Sequence, residues 1–187
     1  MGDALSQNQR YSVEAYEALA ANAGEGERYE YADGQLVVKD EYTSDEHNLV
    51  LLNVYRLLHA HFGPKGCKVF TENVRLAIDA HTQFRLPDVM VTPSERDKTP
   101  GDAKRDPLLL VEVLSASSAF VDLVDKAKAY KTIPGLRAYL IVKPDKVWVR
   151  AYVRDGAGTW TEREYESASD VLSLGEVSLP VREVYAL

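Results

Sequence analysis

The feature that most constrains the fold is an apolar segment interrupted by a single charge, Leu108-Leu-Leu-Val-Glu112-Val-Leu114. Its length and aliphatic content predict a β-strand that is buried on both faces of a sheet. A carboxylate in such a strand loses its hydration, so Glu112 needs compensation from a cationic side chain or from a bound metal ion. The segment alone does not distinguish a cationic partner from a metal ion, so the other polar residues of the chain have to be considered.

Length and composition predict one globular domain with a packed core. The chain has 187 residues, of which 45% are hydrophobic and 27% charged, and this balance argues against global disorder. We expect the domain to span residues 12–187, with residues 1–11 as a flexible lead-in. No apolar run approaches the roughly 20 residues of a membrane span, and the first residues do not resemble a signal peptide. Together with the single cysteine, Cys67, these features predict a cytoplasmic location.

The order of the predicted elements favours a mixed α/β sheet with helices packed on it, in a single domain. Hairpins are predicted at 28–38 and 139–154, one or two strands at 67–78, and further strands at 83–92, 108–114 and 159–165. Helices are predicted at about 12–22, 44–63 and 119–132, with a short docked helix within 179–187. The chain has no glycine-rich phosphate loop after a strand, so we do not expect a nucleotide cofactor.

Charge is distributed unevenly along the chain. The net charge of −7 argues against a protein that coats nucleic acid through bulk electrostatics. Residues 96–150, however, hold 11 Lys and Arg against 7 Asp and Glu, a local balance of +4. This excess around Glu112 is compatible with a phosphate-binding face, and it is equally compatible with ordinary scatter.

Three acidic residues occupy strand-like contexts in which acids are rare: Glu30, Asp88 and Glu112. Carboxylates from neighbouring strands can hold a hard divalent cation at a sheet edge. Lys126, on the helix after Glu112, could supply a cation to the same place. Each residue also has a purely structural interpretation, such as a buried Glu112–Lys126 ion pair, a solvent-facing Glu30, or an Asp88 that ends a turn.

The order of these residues resembles that of the PD-(D/E)XK nuclease superfamily. More closely, the chain over residues 12–187 is similar to the Uma-two family, whose members are described as putative restriction endonucleases. The segments that carry the resemblance are RYEYADGQLV (28–37), His47 in the second helix, LPDVMV (86–91), LLLVEVLSASS (108–118), Asp122 with Lys126 and Tyr130, PGLRAYLIVKP (134–144), and the closing LSLGEVSLPVREVYAL.

The resemblance implies a restriction-endonuclease-like mixed β-sheet flanked by helices. It implies that Asp88 and Glu112 hold Mg²⁺, or alternatively Mn²⁺, and that Glu30 and Lys126 complete the catalytic set. In the plain superfamily motif the lysine stands two residues after the glutamate, where this chain has Leu114. The implied form is therefore one in which the lysine has moved to the following helix.

Two functions follow as hypotheses. The first is a magnesium-dependent endodeoxyribonuclease that hydrolyses DNA phosphodiester bonds, with a homodimer or higher homo-oligomer expected from the resemblance. The second is a binding or assembly module that keeps the nuclease fold without catalysis. The acidic net charge favours the second, because nuclease surfaces are more often basic.

Overall fold

The computed structural model describes residues 9–24, 26–39, 44–79, 82–101, 103–115 and 120–186, without the side chains of residues 120–123. The α-helices of these residues are α1 (Val13–Ala21), α2 (Asp45–Phe62), α3 (Phe120–Lys131) and α4 (Val181–Val184). The strands are β1 (Tyr29–Ala32), β2 (Gln35–Val38), β3 (Lys68–Thr71), β4 (Leu76–Asp79), β5 (Gln83–Arg85), β6 (Val89–Thr92), β7 (Leu109–Val113), β8 (Ala138–Val142), β9 (Val149–Arg154), β10 (Trp160–Tyr165), β11 (Val171–Ser173) and β12 (Ser178–Pro180).

A six-stranded sheet in the order β10-β9-β8-β7-β6-β3 forms the centre of the molecule. Its strands pair antiparallel except for β7 and β8, which run parallel and are connected through α3. One face packs against α2, α4 and the β11–β12 hairpin, and the other face packs against α3. The predicted single-domain mixed α/β fold is therefore confirmed, and β7 is buried along its whole length as its apolar sequence predicts.

A smaller sheet in the order β2-β1-β5-β4 packs against α1. The β1–β2 turn is made by Asp33 and Gly34 at positive φ (49° and 89°), the backbone conformation that a tight hairpin turn requires. Residues 10 and 11, at the described end of the predicted lead-in, hydrogen-bond to this turn through Arg10 Nη1 to Asp33 O (2.7 Å) and Tyr11 N to Gly34 O (2.8 Å). Residues 1–8 of that lead-in lie outside the described residues.

The prediction of a single strand over 83–92 is wrong. The chain leaves the smaller sheet after Arg85 and joins the larger sheet at Val89, so β5 and β6 belong to different sheets. Pro87 lies in the crossing, where it needs no ladder partner because it has no N–H to donate. This crossing carries Asp88 to the boundary between the sheets and brings β1 close to β7.

The helices begin as the sequence predicts. The Ser12 and Ser44 hydroxyls accept hydrogen bonds from Ala15 N and His47 N, both at 3.2 Å, and cap α1 and α2. The β11–β12 hairpin was not predicted, because its strands have only three residues each. Over the described part of the chain, none of the helices combines the length and the apolar character needed to span a bilayer.

Candidate active site

Glu112 lies near the end of β7 and is 4% exposed. Alternation along the strand places Leu110 and Glu112 on the face that packs against α3, whereas Val111 and Val113 face α2. Val89 of β6 pairs with Val111 of β7, so continuing this antiparallel register sets Asp88 opposite Glu112. The two acids thus lie side by side at the end of the ladder, as the hypothesis of a shared metal ion requires.

Asp88 is 3% exposed, and both of its carboxylate oxygens have partners. Oδ2 accepts a hydrogen bond from Val113 N at 2.7 Å, and Oδ1 lies 2.7 Å from Lys39 Nζ. The same ammonium donates to Leu86 O at 2.6 Å. Lys39 follows β2 directly, and its side chain is 27% exposed. A lysine that the sequence analysis did not identify therefore neutralises one of the predicted metal ligands.

Lys126 lies between two glutamates. Its Nζ is 3.4 Å from Glu112 Oε1 and 3.4 Å from Glu30 Oε1, and its side chain is 7% exposed. One helical turn further along α3, the Tyr130 hydroxyl donates to Glu112 Oε1 at 2.7 Å. The four-residue spacing places Lys126 and Tyr130 on one helix face, as expected. Asp122 precedes Lys126 by four residues, so this spacing predicts it on the same face, but its side chain lies outside the described side chains.

Glu30, on β1, is 3% exposed and is held by residues of the neighbouring strand β5. Its Oε2 is 3.2 Å from Arg85 Nη1, and its Oε1 accepts a hydrogen bond from Leu86 N at 2.9 Å. The β1–β5 register pairs Tyr31 with Phe84, which places Glu30 opposite Arg85. We call Glu30, Asp88 and Glu112 the carboxylate cluster.

Burial and neighbouring charge shift the two glutamates in opposite directions. Desolvation raises the pKa of Glu112 above its ordinary value, and the attraction of Lys126 offsets this only in part. Desolvation also acts to raise the pKa of Glu30, but the charges of Lys126 and Arg85 and the hydrogen bond from Leu86 outweigh it, so this pKa is lowered. Glu112 is therefore the carboxyl that holds a proton more readily.

Burial also raises the pKa of Tyr130 well above its ordinary value, and the charge of Glu112 adds to the effect. Tyr130 consequently stays a hydrogen-bond donor to the carboxylate. For Lys39, burial opposes the charged form, but the attraction of Asp88 and Glu112 prevails and the pKa is raised. Lys39 therefore remains an ammonium beside Asp88.

The structure brings all four predicted site residues, Glu30, Asp88, Glu112 and Lys126, into one buried cluster. It does not bring His47 there. His47 is buried on α2, the helix on the opposite face of the large sheet, and its Nδ1 is 3.3 Å from Leu114 O.

Two cations that pair with the cluster, Arg85 and Lys39, were not predicted from the sequence. Arg85 is one of two charges, with Asp88, in a largely apolar segment, FRLPDVMV (84–91), and a charge in apolar surroundings is the kind of signal that identified Glu112. Lys39 gives no comparable signal, because it stands in a polar stretch after a hairpin.

The oxygen donors of the cluster suit a hard divalent cation. Asp88 and Glu112 offer carboxylate oxygens from adjacent strands, and magnesium is commonly bound through one or two carboxylates, with water and substrate completing its shell. The Lys39 ammonium lies where a cation would neutralise Asp88, so a metal ion at Asp88 would have to displace it. In the described residues, no three His, Cys, Asp or Glu side chains come together as a preformed metal-binding group.

Comparisons with known proteins find one matching family model and two relatives of similar length. The family model described as "Uma2: Putative restriction endonuclease" matches residues 13–182. An uncharacterized protein of Synechocystis sp. is 30% identical over 153 residues, which cover 82% of this chain and 80% of that protein. A second uncharacterized Synechocystis protein is 32% identical over 136 residues, covering 72% of this chain and 76% of its own length.

The fold also occurs in a solved structure. A crystal structure from Anabaena variabilis, described as a "putative nuclease belonging to DUF820", superimposes with a TM-score of 0.77. The alignment covers 94% of this chain and 98% of that one, at 15% sequence identity. At this identity the likeness establishes the fold, and it agrees with the restriction-endonuclease-like sheet expected from the sequence.

Proposed function

The chain belongs to the Uma2 family, and from this membership and the carboxylate cluster we propose that it is a metal-dependent endodeoxyribonuclease. The observation that carries the proposal is a buried cluster of three acids drawn from two different sheets, in which Lys126 lies between Glu30 and Glu112 and Lys39 pairs with Asp88. Burying this many charges together is costly for folding unless they are compensated. A catalytic role accounts for that cost, and perturbed ionisable groups are typical of functional sites.

Each residue has a distinct role in this proposal. Asp88 and Glu112 hold Mg²⁺ or Mn²⁺, which when bound polarises a phosphate oxygen and acidifies a water molecule. Lys126 places its ammonium to orient the attacking water or to stabilise negative charge that develops on the phosphate. Glu30 acts on Lys126 rather than on DNA, because one of its oxygens lies 3.4 Å from the ammonium while Arg85 holds the other.

A cleavage assay tests the proposal. Fluorescently labelled DNA substrates, both double-stranded and partly single-stranded, are incubated with the protein and Mg²⁺ or Mn²⁺. We expect cleavage that chelation abolishes, and a loss of about 100-fold or more in Glu112→Gln and Lys126→Met. Lys128→Met is the matched control, because this lysine lies on the same helix but is 74% exposed and pairs with Asp125. Full activity in both cluster variants would refute the assignment.

One observation favours a second function, a binding or assembly module without catalysis. Lys39, Arg85 and Lys126 supply three positive charges for the three acids of the carboxylate cluster. The cluster can therefore be neutral without a metal ion. Isothermal calorimetry with Mn²⁺ separates the two functions: binding that Glu112→Gln removes supports the nuclease, and absence of both binding and cleavage supports the module. A homodimer stays a prediction for either function.

A further inference from the structure

A groove of about 880 Å³ lies beside the carboxylate cluster. Helix α1, the start of β1, the loop after β3 and the segment that ends at Lys104 form its walls. Volumes of this order enclose a ligand the size of a drug molecule or of one or two nucleotides, but not a duplex. Leu86 lines the groove, and its backbone N–H donates to Glu30 Oε1, so one residue borders both the groove and the cluster.

The strand register gives the distance between the groove and the cluster. Phe70 of β3, which lines the groove, pairs with Met90 of β6, and Met90 pairs with Leu110 of β7. All three residues pack on the face of the large sheet that also carries Glu112. Asp88 is two residues from Met90 along β6, so its backbone lies roughly 8 Å from that of Phe70 by ordinary strand spacings. A nucleotide in the groove would thus neighbour the one at the cluster.

Lys104 is the strongest sign of an anion site in this groove. Lys104 lines the groove although the residue is only 4% exposed. The ammonium donates to Thr99 O at 2.6 Å and lies 5.4 Å from the centre of the Phe70 ring. An ammonium has three donors, and Lys104 forms no ion pair with any residue in the described ranges. A buried cation compensated by one carbonyl and one ring face is suited to receive a phosphate.

The position of Lys104 is fixed before any ligand binds. Its backbone bonds to β4 through Lys104 N to Arg75 O (2.7 Å) and Ala77 N to Lys104 O (2.8 Å). The preceding loop is tied by Asp97, which is 1% exposed and accepts hydrogen bonds from Thr92 Oγ1 and from the backbone N–H groups of 105 and 106. Such a site would lose little entropy when a ligand binds.

Further cations and an aromatic ring line the same groove. The Arg75 guanidinium stacks over the rings of Tyr16 and Phe84, at 5.8 and 5.3 Å from their centres. Arg28 is half-buried and forms no ion pair with a described residue. Tyr29 also lines the groove, and its hydroxyl donates to Glu27 Oε2 at 3.1 Å. Among the described residues, the lining of the groove holds three cations, Arg28, Arg75 and Lys104, against two acids, Glu17 and Glu27, in a chain of net charge −7.

We infer that the groove binds an unpaired stretch of the DNA strand that enters the active site. Lys104 and Arg28 contact its phosphates, and a base stacks on Tyr29, because cations with an aromatic platform are how proteins hold single strands. The inference rests on the proposed function and specifies its substrate: DNA with a single-stranded segment next to the cleaved bond.

Fluorescence anisotropy with a labelled 12-nucleotide oligo(dT) tests this inference without catalysis. The full chain carrying Glu112→Gln is used without divalent metal, so binding is measured whether or not the protein proves to be a nuclease. We expect Arg28→Gln and Lys104→Gln each to weaken binding about tenfold. The slope of log K against log salt should fall by about 0.7 for each removed phosphate contact. Tyr29→Leu should weaken binding at least about fivefold while leaving the slope unchanged.

Arg56→Gln is the matched control, because Arg56 lies on α2 at the opposite face of the sheet and is 58% exposed. It should bind oligo(dT) within about twofold of the parent, and a hairpin duplex of equal length should bind more weakly than oligo(dT). Arg28→Gln keeps the test valid if Lys104→Gln fails to fold, since Arg28 is half-buried and makes no ion pair in the described structure. Any one of three results would overturn the inference. The first is equal oligo(dT) binding by Arg28→Gln and Arg56→Gln, and the second is duplex binding as tight as that of oligo(dT). The third is no oligo(dT) binding by the parent.

Discussion

Replacing Lys39 by methionine removes the cation that neutralises Asp88 while keeping the length of the side chain. An exposed ion pair contributes at most about 1 kcal/mol, and breaking a buried pair costs about 3–5 kcal/mol. Asp88 is nearly inaccessible whereas the Lys39 side chain is 27% exposed, so we expect an intermediate loss of about 2–3 kcal/mol in the free energy of unfolding. For a domain of this size, that corresponds to a fall of about 4–12 °C in melting temperature.

The same substitution should strengthen metal binding. In the wild type an incoming cation has to displace the Lys39 ammonium from Asp88, whereas in Lys39→Met the carboxylate is free to ligate. We expect Mn²⁺ to bind Lys39→Met about tenfold more tightly, which corresponds to about 1.4 kcal/mol. Saturating Mn²⁺ should therefore restore much of the lost melting temperature, because a ligand that binds only the folded state stabilises it.

Differential scanning fluorimetry with and without Mn²⁺ measures both effects. Lys98→Met is a close control, because the Lys98 side chain is 28% exposed and pairs with Glu95 at the surface. It should lose less than about 1 kcal/mol, and its response to Mn²⁺ should equal that of the wild type. If Lys39→Met is destabilised but gains no more from Mn²⁺ than Lys98→Met does, Lys39 is not occupying the place of a metal ion and the reasoning is wrong.

Three further predictions concern the same cluster. The pKa of Glu112 is higher in the folded protein than its ordinary value of 4.5, so the protonated carboxyl stabilises the fold fully below pH 4.5. This stabilisation is lost as the pH rises through the raised pKa of the folded state. Because Mn²⁺ must displace that proton, its affinity by calorimetry should rise with pH over the same window, and Glu112→Gln should lose this dependence. Lys126→Met should cost about 3–5 kcal/mol in urea unfolding, since it leaves two buried carboxylates without their shared cation, and a loss under 1 kcal/mol would contradict the geometry. Tyr130→Phe should cost about 1.5–3 kcal/mol by the same method, because it removes a hydrogen bond to a charged group, and an unchanged stability would argue against that bond.

Most of the fold follows from local sequence patterns, and the exceptions have physical causes. The buried strand β7, the capped helices and the Asp33-Gly34 hairpin each rest on interactions within a few neighbouring residues. The break between β5 and β6 does not, because residues 83–92 read as one apolar strand and only the pairing of two sheets decides where the chain crosses. A three-residue hairpin such as β11–β12 has too little periodicity to be recognised.

In the candidate site, too, some residues can be predicted from local patterns and others only from the three-dimensional fold. Glu112 can be predicted from the sequence because a charge inside an apolar strand requires a partner. Lys126 can be predicted as that partner because it lies on the helix that follows the strand. Lys39 reaches Asp88 only because the β1–β2 hairpin folds against the β5–β6 crossing, a contact across 49 residues of sequence. No local pattern contains that information. The charge balance of the cluster could therefore be established only from the three-dimensional arrangement.

The proposed function requires Asp88 and Glu112 to share one divalent cation. An anomalous difference map from crystals soaked in Mn²⁺ tests it most directly. We expect one peak within about 2.2 Å of an oxygen of each residue, with the Lys39 ammonium moved away from Asp88. An ordered site without such a peak, in which Lys39 still pairs with Asp88 at saturating Mn²⁺, would contradict it.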